Sequence, residues 1–185
     1  MMKCERLEMS TVKEIYETYL IYDFPQDEVK PLGRIEAMAE EDKYFAYGLF
    51  AEDRLVGYAF FVGNENDKVV LLDYFAIVKK FRRNGYGTEF LNALKNTLTD
   101  SMIILEAEDD VYAHNADDKK VREKRLEFYE NAGAKDTGIR TLVFGVHYII
   151  FVCDEIAKKE EVGKAVREIY EYMFEPHFSD KYNIK

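Results

Sequence analysis

The sequence predicts a mixed α/β fold in which helices flank a mostly antiparallel central sheet. Three closely spaced apolar stretches, over residues 44–51, 55–63 and 68–78, are joined by short polar segments, as in strands connected by hairpins. Further along the chain, short apolar runs alternate with segments whose apolar residues recur at helical spacing. Hydrophobic residues make up 48% of the 185 residues, which is enough apolar surface for a folded chain rather than a disordered one.

The segment before these three strands predicts one strand and two helices. Residues 3–8 are expected to form a short strand. Ser10 is the expected N-cap of a helix that begins at Thr11, since a serine hydroxyl can accept a hydrogen bond from the first helical turn. After a connection that contains two prolines, residues 35–41 predict a second, shorter helix.

The second half of the chain alternates helices and strands. A basic, glycine-containing loop follows the third strand of the hairpins and opens a helix, and residues 102–106 predict the next strand. This succession is typical of a right-handed crossover between parallel neighbours. The remaining predicted elements are a polar loop over 108–120, a helix over 121–132 that Gly133 ends, and strands over 139–144 and 147–153.

We expect a single domain over residues 1–185, with a core of about residues 1–155 and a C-terminal helical extension over about residues 156–185. The helix predicted over 160–174 has an apolar stripe along one side, and such a stripe needs a surface to cover it. That surface belongs either to this domain or to a second subunit, so the chain is expected to be a monomer or a homodimer.

Charge and composition exclude several classes of protein. With 26 Lys+Arg against 36 Asp+Glu, the net charge is −10, which argues against a nucleic-acid partner and slightly favours a cationic one. Cys4 and Cys153 cannot build a disulfide framework, and the longest apolar run, residues 148–153, is too short to cross a membrane. Histidine and cysteine are not spaced as in a metal site. A cytoplasmic protein without metal or membrane partner is therefore expected.

The loop over residues 79–87 carries the strongest functional signal. Two lysines and two arginines precede Gly85 and Gly87 at the entrance to a helix. Glycine lets the backbone approach an anion closely, and the free N–H groups of the first helical turn can bind that anion. The pattern favours a pyrophosphate site, although an ordinary strand-to-helix turn with solvated basic side chains has the same spacing.

Residues 82–87, Arg-Arg-Asn-Gly-Tyr-Gly, resemble the Arg/Gln-x-x-Gly-x-Gly/Ala motif of the GNAT family of N-acetyltransferases, which use acetyl-CoA. Residues 72–77 are similar to the fourth strand of that family, and residues 125–134 to its Arg-x-x-Phe-Tyr-x-x-x-Gly-Phe segment. The order of predicted elements over residues 3–153 agrees as well. The resemblance implies the GNAT fold and an acyltransferase that moves acetyl from acetyl-CoA to a primary amine without an acyl-enzyme.

The resemblance also implies that backbone groups hold the coenzyme A part of the co-substrate. N–H groups over residues 83–88 would bind the pyrophosphate, and residues 75–78 would pair with the pantetheine arm as a strand does. One of these N–H groups would also stabilise the oxyanion formed from the thioester carbonyl. The residues implied in cofactor binding are Phe75, Ala76, Ile77, Val78, Arg82, Arg83, Asn84, Gly85, Tyr86, Gly87, Thr88, Asn115 and Arg125.

Tyr129 matches the family tyrosine whose hydroxyl lies near the sulfur of coenzyme A, where it can protonate the departing thiolate. The alternative is a helix tyrosine that is simply buried beside Phe128. For Arg125, contact with coenzyme A, contact with a carboxylate on the fifth strand and an ordinary surface position all stay open.

The acceptor amine arrives protonated and must lose a proton before it attacks. The family often has an acidic residue on the fourth strand for this step, which implies Asp73, with Glu106 on the next strand as the second candidate. Strand alternation predicts that Asp73 shares a face with Leu71 and Phe75, where an acid is costly unless it is solvated or hydrogen-bonded. The alternative is an Asp73 that pairs with a nearby arginine such as Arg125.

Three functions follow from these residues. The first is transfer of acetyl to the amine of a small, cationic molecule, which the acidic composition slightly favours. The second is acetylation of a protein N-terminus or a lysine side chain. The third is a module that binds coenzyme A or an acyl-CoA and catalyses little.

Overall fold

The computed structural model describes residues 2–26, 28–153, 158–174 and 181–185. By its internal contacts the chain divides into two compact units, Met1–Thr99 and Asp100–Lys185. Each unit combines helices with four antiparallel strands. The predicted mixed α/β fold with mostly antiparallel strands is therefore confirmed. A single domain over both units stays a prediction.

In the described residues, the first unit is a four-stranded antiparallel sheet, with helices between β1 and β2 and a further helix after β4. Its strands pair in the order β1-β2-β3-β4, which confirms the predicted hairpins. The elements are β1 (Met2–Arg6), α1 (Met9–Ile15), a π-helical turn (Tyr16–Leu20), a last helical turn (Ile21–Asp23), α2 (Leu32–Glu40), β2 (Tyr44–Ala51), β3 (Arg54–Val62), β4 (Val69–Ile77) and α3 (Tyr86–Thr97).

Helix α1 begins two residues earlier than predicted. The carbonyl oxygen of Glu8 accepts hydrogen bonds from the N–H groups of Thr11 and Val12, at 2.9 and 3.0 Å. Ser10 therefore lies inside the first turn, and the prediction that it is the N-cap was wrong. The N-cap residue is Glu8, whose side chain makes no capping hydrogen bond with the described chain. The backbone closes this turn without help from a side chain.

Strand β4 contains a β-bulge at Asp73. Leu72 lies opposite Phe61 of β3 and Tyr74 lies opposite Phe60, so Asp73 is the extra residue between them. The bulge shifts the alternation of side chains by one residue. Leu71 and Phe75 therefore lie on opposite faces of the strand. The prediction that Asp73 shares one face with both of them was wrong. A bulge re-aims the side chain at the extra position, which here is the carboxylate of Asp73.

In its described residues, the second unit has four strands, two long helices and a short 3₁₀ turn between β5 and the first of these helices. The strands pair in the order β5-β7-β6-β8 and every pair is antiparallel. Its elements are β5 (Met102–Glu108), a 3₁₀ turn (Asp110–Tyr112), α4 (Ala116–Asn131), β6 (Lys135–Val143), β7 (Val146–Val152), α5 (Lys159–Phe174) and β8 (Tyr182–Ile184).

Helix α4 starts five residues before the predicted start, so the last five residues of the predicted polar loop belong to the helix. The side-chain oxygen of Asn115 accepts hydrogen bonds from the N–H groups of Asp117 and Asp118, at 3.0 and 2.9 Å. This cap fixes the start of the helix at Ala116. Gly133 follows the end of α4 with φ +86°, as predicted for a left-handed helix stop.

The apolar stripe of helix α5 packs against other elements of the second unit. Val162, Val166 and Tyr170 are buried, and the helix contacts β6 and β8. The ring of Tyr170 packs edge-on against Tyr182 of β8, with 5.5 Å between ring centroids. Strand β8, which was not predicted, pairs with β6. The surface that covers the apolar stripe therefore lies within the chain, which is one of the two predicted possibilities.

Within the described ranges, no helix is both long and apolar enough to cross a membrane.

We expect the variant Tyr170→Phe to lower the free energy of unfolding by about 1–3 kcal/mol, the usual effect of removing one partner from a buried hydrogen bond. The Tyr170 hydroxyl donates to Glu106 and lies 3.0 Å from the Thr141 hydroxyl oxygen. Urea denaturation measures the change. Tyr22→Phe, at a tyrosine that is 78% exposed, is the control and should change it by less than about 0.5 kcal/mol. An equally small effect at Tyr170 would contradict the assigned contact.

Candidate active site

The loop after β4 ends at a helix N-terminus whose N–H groups point outward. A short 3₁₀ turn, Lys79–Phe81, leads into Arg83 at φ +67° and Gly85 at φ +81°, both in the left-handed region. Gly85 is the N-cap of α3, and no side chain in the described chain caps this helix. The N–H of Glu89 bonds to the carbonyl of Gly85 at 3.1 Å. The N–H groups of residues 86–88 thus lack an acceptor within the helix.

Glycine at position 85 is required by the backbone rather than by crowding. A Cβ built at Gly85 would meet no described atom within 4 Å, but an L-residue at this φ costs about 1 kcal/mol or more. The side-chain nitrogen of Asn84 donates to the carbonyls of Phe81 and Arg82, at 3.1 and 3.2 Å. These bonds hold the turn in shape.

The basic side chains of the loop divide into two kinds. Arg82 is bound within the first unit, because its Nε donates to the Ile77 carbonyl at 2.7 Å and its guanidinium lies 2.5 Å from the carboxylate of Asp23. Lys79, Lys80 and Arg83 are exposed. Arg82 is therefore placed to fix the loop, and the other three basic side chains to attract an anion from solvent.

The backbone of β4 offers its hydrogen-bonding groups in alternation. The N–H of Val78 donates to the carbonyl of Val56 in β3 at 2.8 Å. Backbone groups alternate in direction along an antiparallel pair. The N–H groups of Ala76 and Val78 therefore point toward β3, and those of Phe75 and Ile77 point away from it. Two of the four residues implied in pantetheine binding thus have their backbone groups in the β3–β4 ladder.

Asp73 is buried and has two strong partners. Its side chain is 6% exposed, one carboxylate oxygen lies 2.6 Å from the ammonium of Lys30, and the other accepts from the Tyr44 hydroxyl at 2.6 Å. Burial, together with the adjacent carboxylate, raises the pKa of Tyr44 well above its usual value. The cationic partner is thus a lysine of the first unit rather than the arginine that the sequence suggested.

Lys30 and Tyr44 were missed by the sequence reasoning. They lie 43 and 29 residues from Asp73 along the chain, and Lys30 comes from an irregular connection. A local pattern carries no signal for such a pair. Only the fold brings these residues to the bulge in β4.

Tyr129 is a buried phenol on α4. Its residue is 8% exposed and its ring lies 5.2 Å from that of Phe128 and 6.2 Å from that of Phe151. Burial raises the pKa of Tyr129 to about 12, against the opposing effect of the Arg125 charge. The hydroxyl therefore carries its proton at neutral pH. In the part of the chain that the structure describes, it has no hydrogen-bond acceptor.

The other predicted site residues of the second unit are bound to neighbours. Glu106 on β5 accepts a hydrogen bond from Tyr170 of α5. Arg125 donates to Glu108, also on β5, at 2.7 Å, so it reaches a carboxylate on the fifth strand, one of its three predicted positions. The side-chain oxygen of Asn115 accepts the two capping bonds of α4.

Neither cysteine forms a disulfide, since Cys4 and Cys153 are both free thiols. Among the residues described, His, Cys, Asp and Glu form no group of three or more that could hold a metal ion.

Comparison with known families and structures gives the context for this site. The sequence model of the acetyltransferase (GNAT) family matches residues 9–128. These residues include the bulge in β4, the loop before α3 and most of α4. The chain belongs to the acetyltransferase (GNAT) family. The resemblance inferred from the sequence is confirmed, and the protein is by family an acyltransferase.

Solved structures of GNAT proteins share the fold of this chain. A GNAT-family protein from Bacteroides thetaiotaomicron is 18% identical, with a TM-score of 0.74 over 92% of this chain and 97% of that one. An aminoglycoside 6′-N-acetyltransferase complexed with coenzyme A is 18% identical, with a TM-score of 0.61 over 84% and 99%. A spermidine/spermine N-acetyltransferase from Vibrio cholerae is 14% identical, with a TM-score of 0.57 over 89% and 99%. At these identities the likeness establishes the fold alone. No curated protein sequence matches the chain significantly.

We expect Tyr129 to make the free energy of unfolding fall at alkaline pH. The unfolded phenol ionises near pH 10 and the folded one near pH 12, so between these values ionisation favours the unfolded state. From pH 8 to pH 11 the wild type should lose about 1.4 kcal/mol more than Tyr129→Phe does. Urea denaturation of both proteins at each pH gives the two differences. A stability difference that stays constant with pH would contradict the raised pKa.

Proposed function

We propose that this protein transfers acetyl from acetyl-CoA directly to a primary amine of a small, cationic molecule. The observation that carries the proposal is the outward-facing N-terminus of α3, which follows Gly85 at φ +81° and lies beside exposed basic side chains. Membership of the acetyltransferase (GNAT) family supports it. A structural neighbour complexed with coenzyme A supports the choice of co-substrate.

The pyrophosphate of coenzyme A binds at the N-terminus of α3. Three outward N–H groups, from Tyr86, Gly87 and Thr88, together with the positive end of the helix dipole, form a site for a doubly charged anion. Arg83 adds attraction from the rim. Arg82 contributes indirectly, since its bonds to Asp23 and to the Ile77 carbonyl hold the loop that presents these groups.

The pantetheine arm pairs with β4 through the N–H groups that are directed away from β3. One of them belongs to Ile77. Pairing in this way uses backbone geometry that the strand already has, so little conformational entropy is lost on binding. One such N–H group also stabilises the negative charge that develops on the thioester oxygen during attack.

In the transfer step the protonated amine first gives a proton to a carboxylate, for which Asp73 is the first candidate and Glu106 the second. The nitrogen lone pair then attacks the thioester carbonyl, so that a C–N bond forms and the C–S bond breaks. Tyr129 donates its proton toward the departing thiolate and regains, through water, the second proton that the nitrogen loses as the amide forms, while the carboxylate returns the first proton to solvent. Because a thiolate is already a tolerable leaving group, this acid contributes about 10²-fold to the rate.

A cationic acceptor fits the charge of the protein. The chain has a net charge of −10, and a field of this sign raises the local concentration of cations. Two structural neighbours are named for amine-rich molecules, an aminoglycoside and spermidine or spermine. Their names support this class of acceptor over a neutral amine.

Release of free thiol from acetyl-CoA, measured over a panel of amines, tests the proposal. The panel contains spermidine, an aminoglycoside, lysine and a peptide with a free N-terminus. We expect thiol release that depends on the small cationic amines, with kcat about 100-fold lower in Tyr129→Phe. Tight binding of acetyl-CoA without acceptor-dependent release would indicate a binding module instead. Preference for the peptide would indicate a protein acetyltransferase.

The variant Gly85→Ala should weaken coenzyme A binding by about tenfold, because one strained residue costs about 1–2 kcal/mol and shifts the N–H groups of the cradle. Gly33→Ala in α2 is a matched control, since an added Cβ also meets no described atom there and the backbone φ is not positive. Calorimetry with coenzyme A and with pantetheine, which lacks the pyrophosphate, makes the comparison. An equal loss for both ligands would contradict a pyrophosphate site at Gly85.

A further inference from the structure

The ammonium group of Lys30 lies in a complete recognition site for an alkylammonium ion. It is 2.6 Å from one carboxylate oxygen of Asp73 and 5.3 Å from the centre of the Tyr74 ring. The Tyr44 hydroxyl binds the other oxygen of the same carboxylate at 2.6 Å. A fixed carboxylate beside an aromatic face is the arrangement by which proteins bind organic ammonium ions.

The main chain at Lys30 is held by bonds that do not involve its ammonium group. The Tyr16 hydroxyl donates to the Lys30 carbonyl at 3.0 Å, and the Lys30 N–H donates to the Tyr74 hydroxyl at 2.8 Å. That hydroxyl in turn donates to the carbonyl of Glu28 at 2.8 Å. The four-carbon side chain of Lys30 can therefore leave the carboxylate while its backbone stays in place.

The two members of the ion pair differ in their access to solvent. The side chain of Lys30 is 20% exposed and that of Asp73 only 6%. Lys30 is thus the more exposed member of the pair, and its partner carboxylate is almost fully buried. The pair of Lys43 and Asp67 in the same unit is different, because both side chains are about 40% exposed (43% and 39%) and lie 3.2 Å apart.

We propose that Lys30 is a resident occupant of an ammonium site formed by Asp73, Tyr44 and Tyr74, and that it sets acceptor specificity by competing with the ammonium group of the acceptor. The link to the acceptor rests on the proposed function, whereas the ammonium site rests on the geometry of the first unit. A tethered competitor acts at an effective concentration in the millimolar range. Amines that bind weakly are excluded, and only those that displace Lys30 reach Asp73.

Chemical rescue tests the ammonium site without any catalysis. Lys30→Ala removes three carbons and the nitrogen, which n-propylammonium can replace. We expect this salt, at about 50 mM, to raise the melting temperature of Lys30→Ala by several degrees more than it raises that of the wild type. Equal concentrations of NaCl and of 1-propanol control for ionic strength and for apolar contact, and the double variant Lys30→Ala/Asp73→Asn should lose the effect.

The ammonium site would be overturned if n-propylammonium gave Lys30→Ala no extra rise in melting temperature. It would also be overturned if the double variant showed the same rise. If Lys30→Ala is unfolded alone, recovery of folded protein on addition of n-propylammonium becomes the measurement. Failure to recover it would count against the proposal in the same way.

Steady-state kinetics with spermidine and acetyl-CoA test the competition. We expect Lys30→Ala to lower the KM for spermidine by about tenfold, with kcat changed by less than about threefold, since only the competitor is removed. Lys30→Arg, which keeps a cation, should retain a KM within about threefold of the wild type, and Lys43→Ala serves as the control ion pair. An unchanged or raised KM in Lys30→Ala would overturn the specificity role.

Rescue by n-propylammonium in a protein that acetylates no amine would instead overturn the proposed function and leave the ammonium site supported.

Discussion

The constraint on which the candidate site depends is a helix N-terminus that the protein leaves uncapped. Helix α3 opens with outward N–H groups, and no side chain of the described residues accepts a bond from them. Gly85 turns the chain at φ +81° to expose them, and Arg83 adopts φ +67°, a conformation that is costly for a residue with a Cβ. Such strain persists where surrounding bonds fix it. Here Asn84 and Arg82 supply those bonds, which makes the loop a preformed anion cradle.

A second constraint is that buried charge needs a partner, and it shapes both units. Removing an ion from water costs several kcal/mol unless the site repays it with a counter-charge and hydrogen bonds. Asp73 has Lys30 in the first unit, and Glu108 in the second lies 3.0 Å from Arg122 and 2.7 Å from Arg125. The Asp73 pair differs from the Glu108 cluster, because a single lysine ammonium pairs with Asp73, whereas two guanidinium groups lie beside Glu108. The proposed ammonium site builds on this single partner, which one cationic ligand can replace.

Much of the fold could be predicted from the sequence, whereas the partners of the candidate residues could not. Long periodic elements, the hairpins over β2–β4 and the left-handed glycine at 133 follow from local chemistry that the sequence displays. The bulge at Asp73 depends on pairing register with β3, which the sequence of β4 does not contain. Helix α4 begins in a polar stretch without apolar periodicity, so only the cap at Asn115 marks its start. Strand β8 has three residues, too few for a pattern, and it forms because it pairs with β6.

The most direct test of the central claim is the response of backbone amides to coenzyme A, measured by two-dimensional ¹H–¹⁵N NMR. Hydrogen bonds from N–H groups to a pyrophosphate move amide proton resonances downfield. The account predicts that the amides of residues 83–88 shift on addition of coenzyme A and stay in place on addition of pantetheine, which has no phosphate. Shifts confined to other parts of the chain, or equal shifts with both ligands, would contradict it.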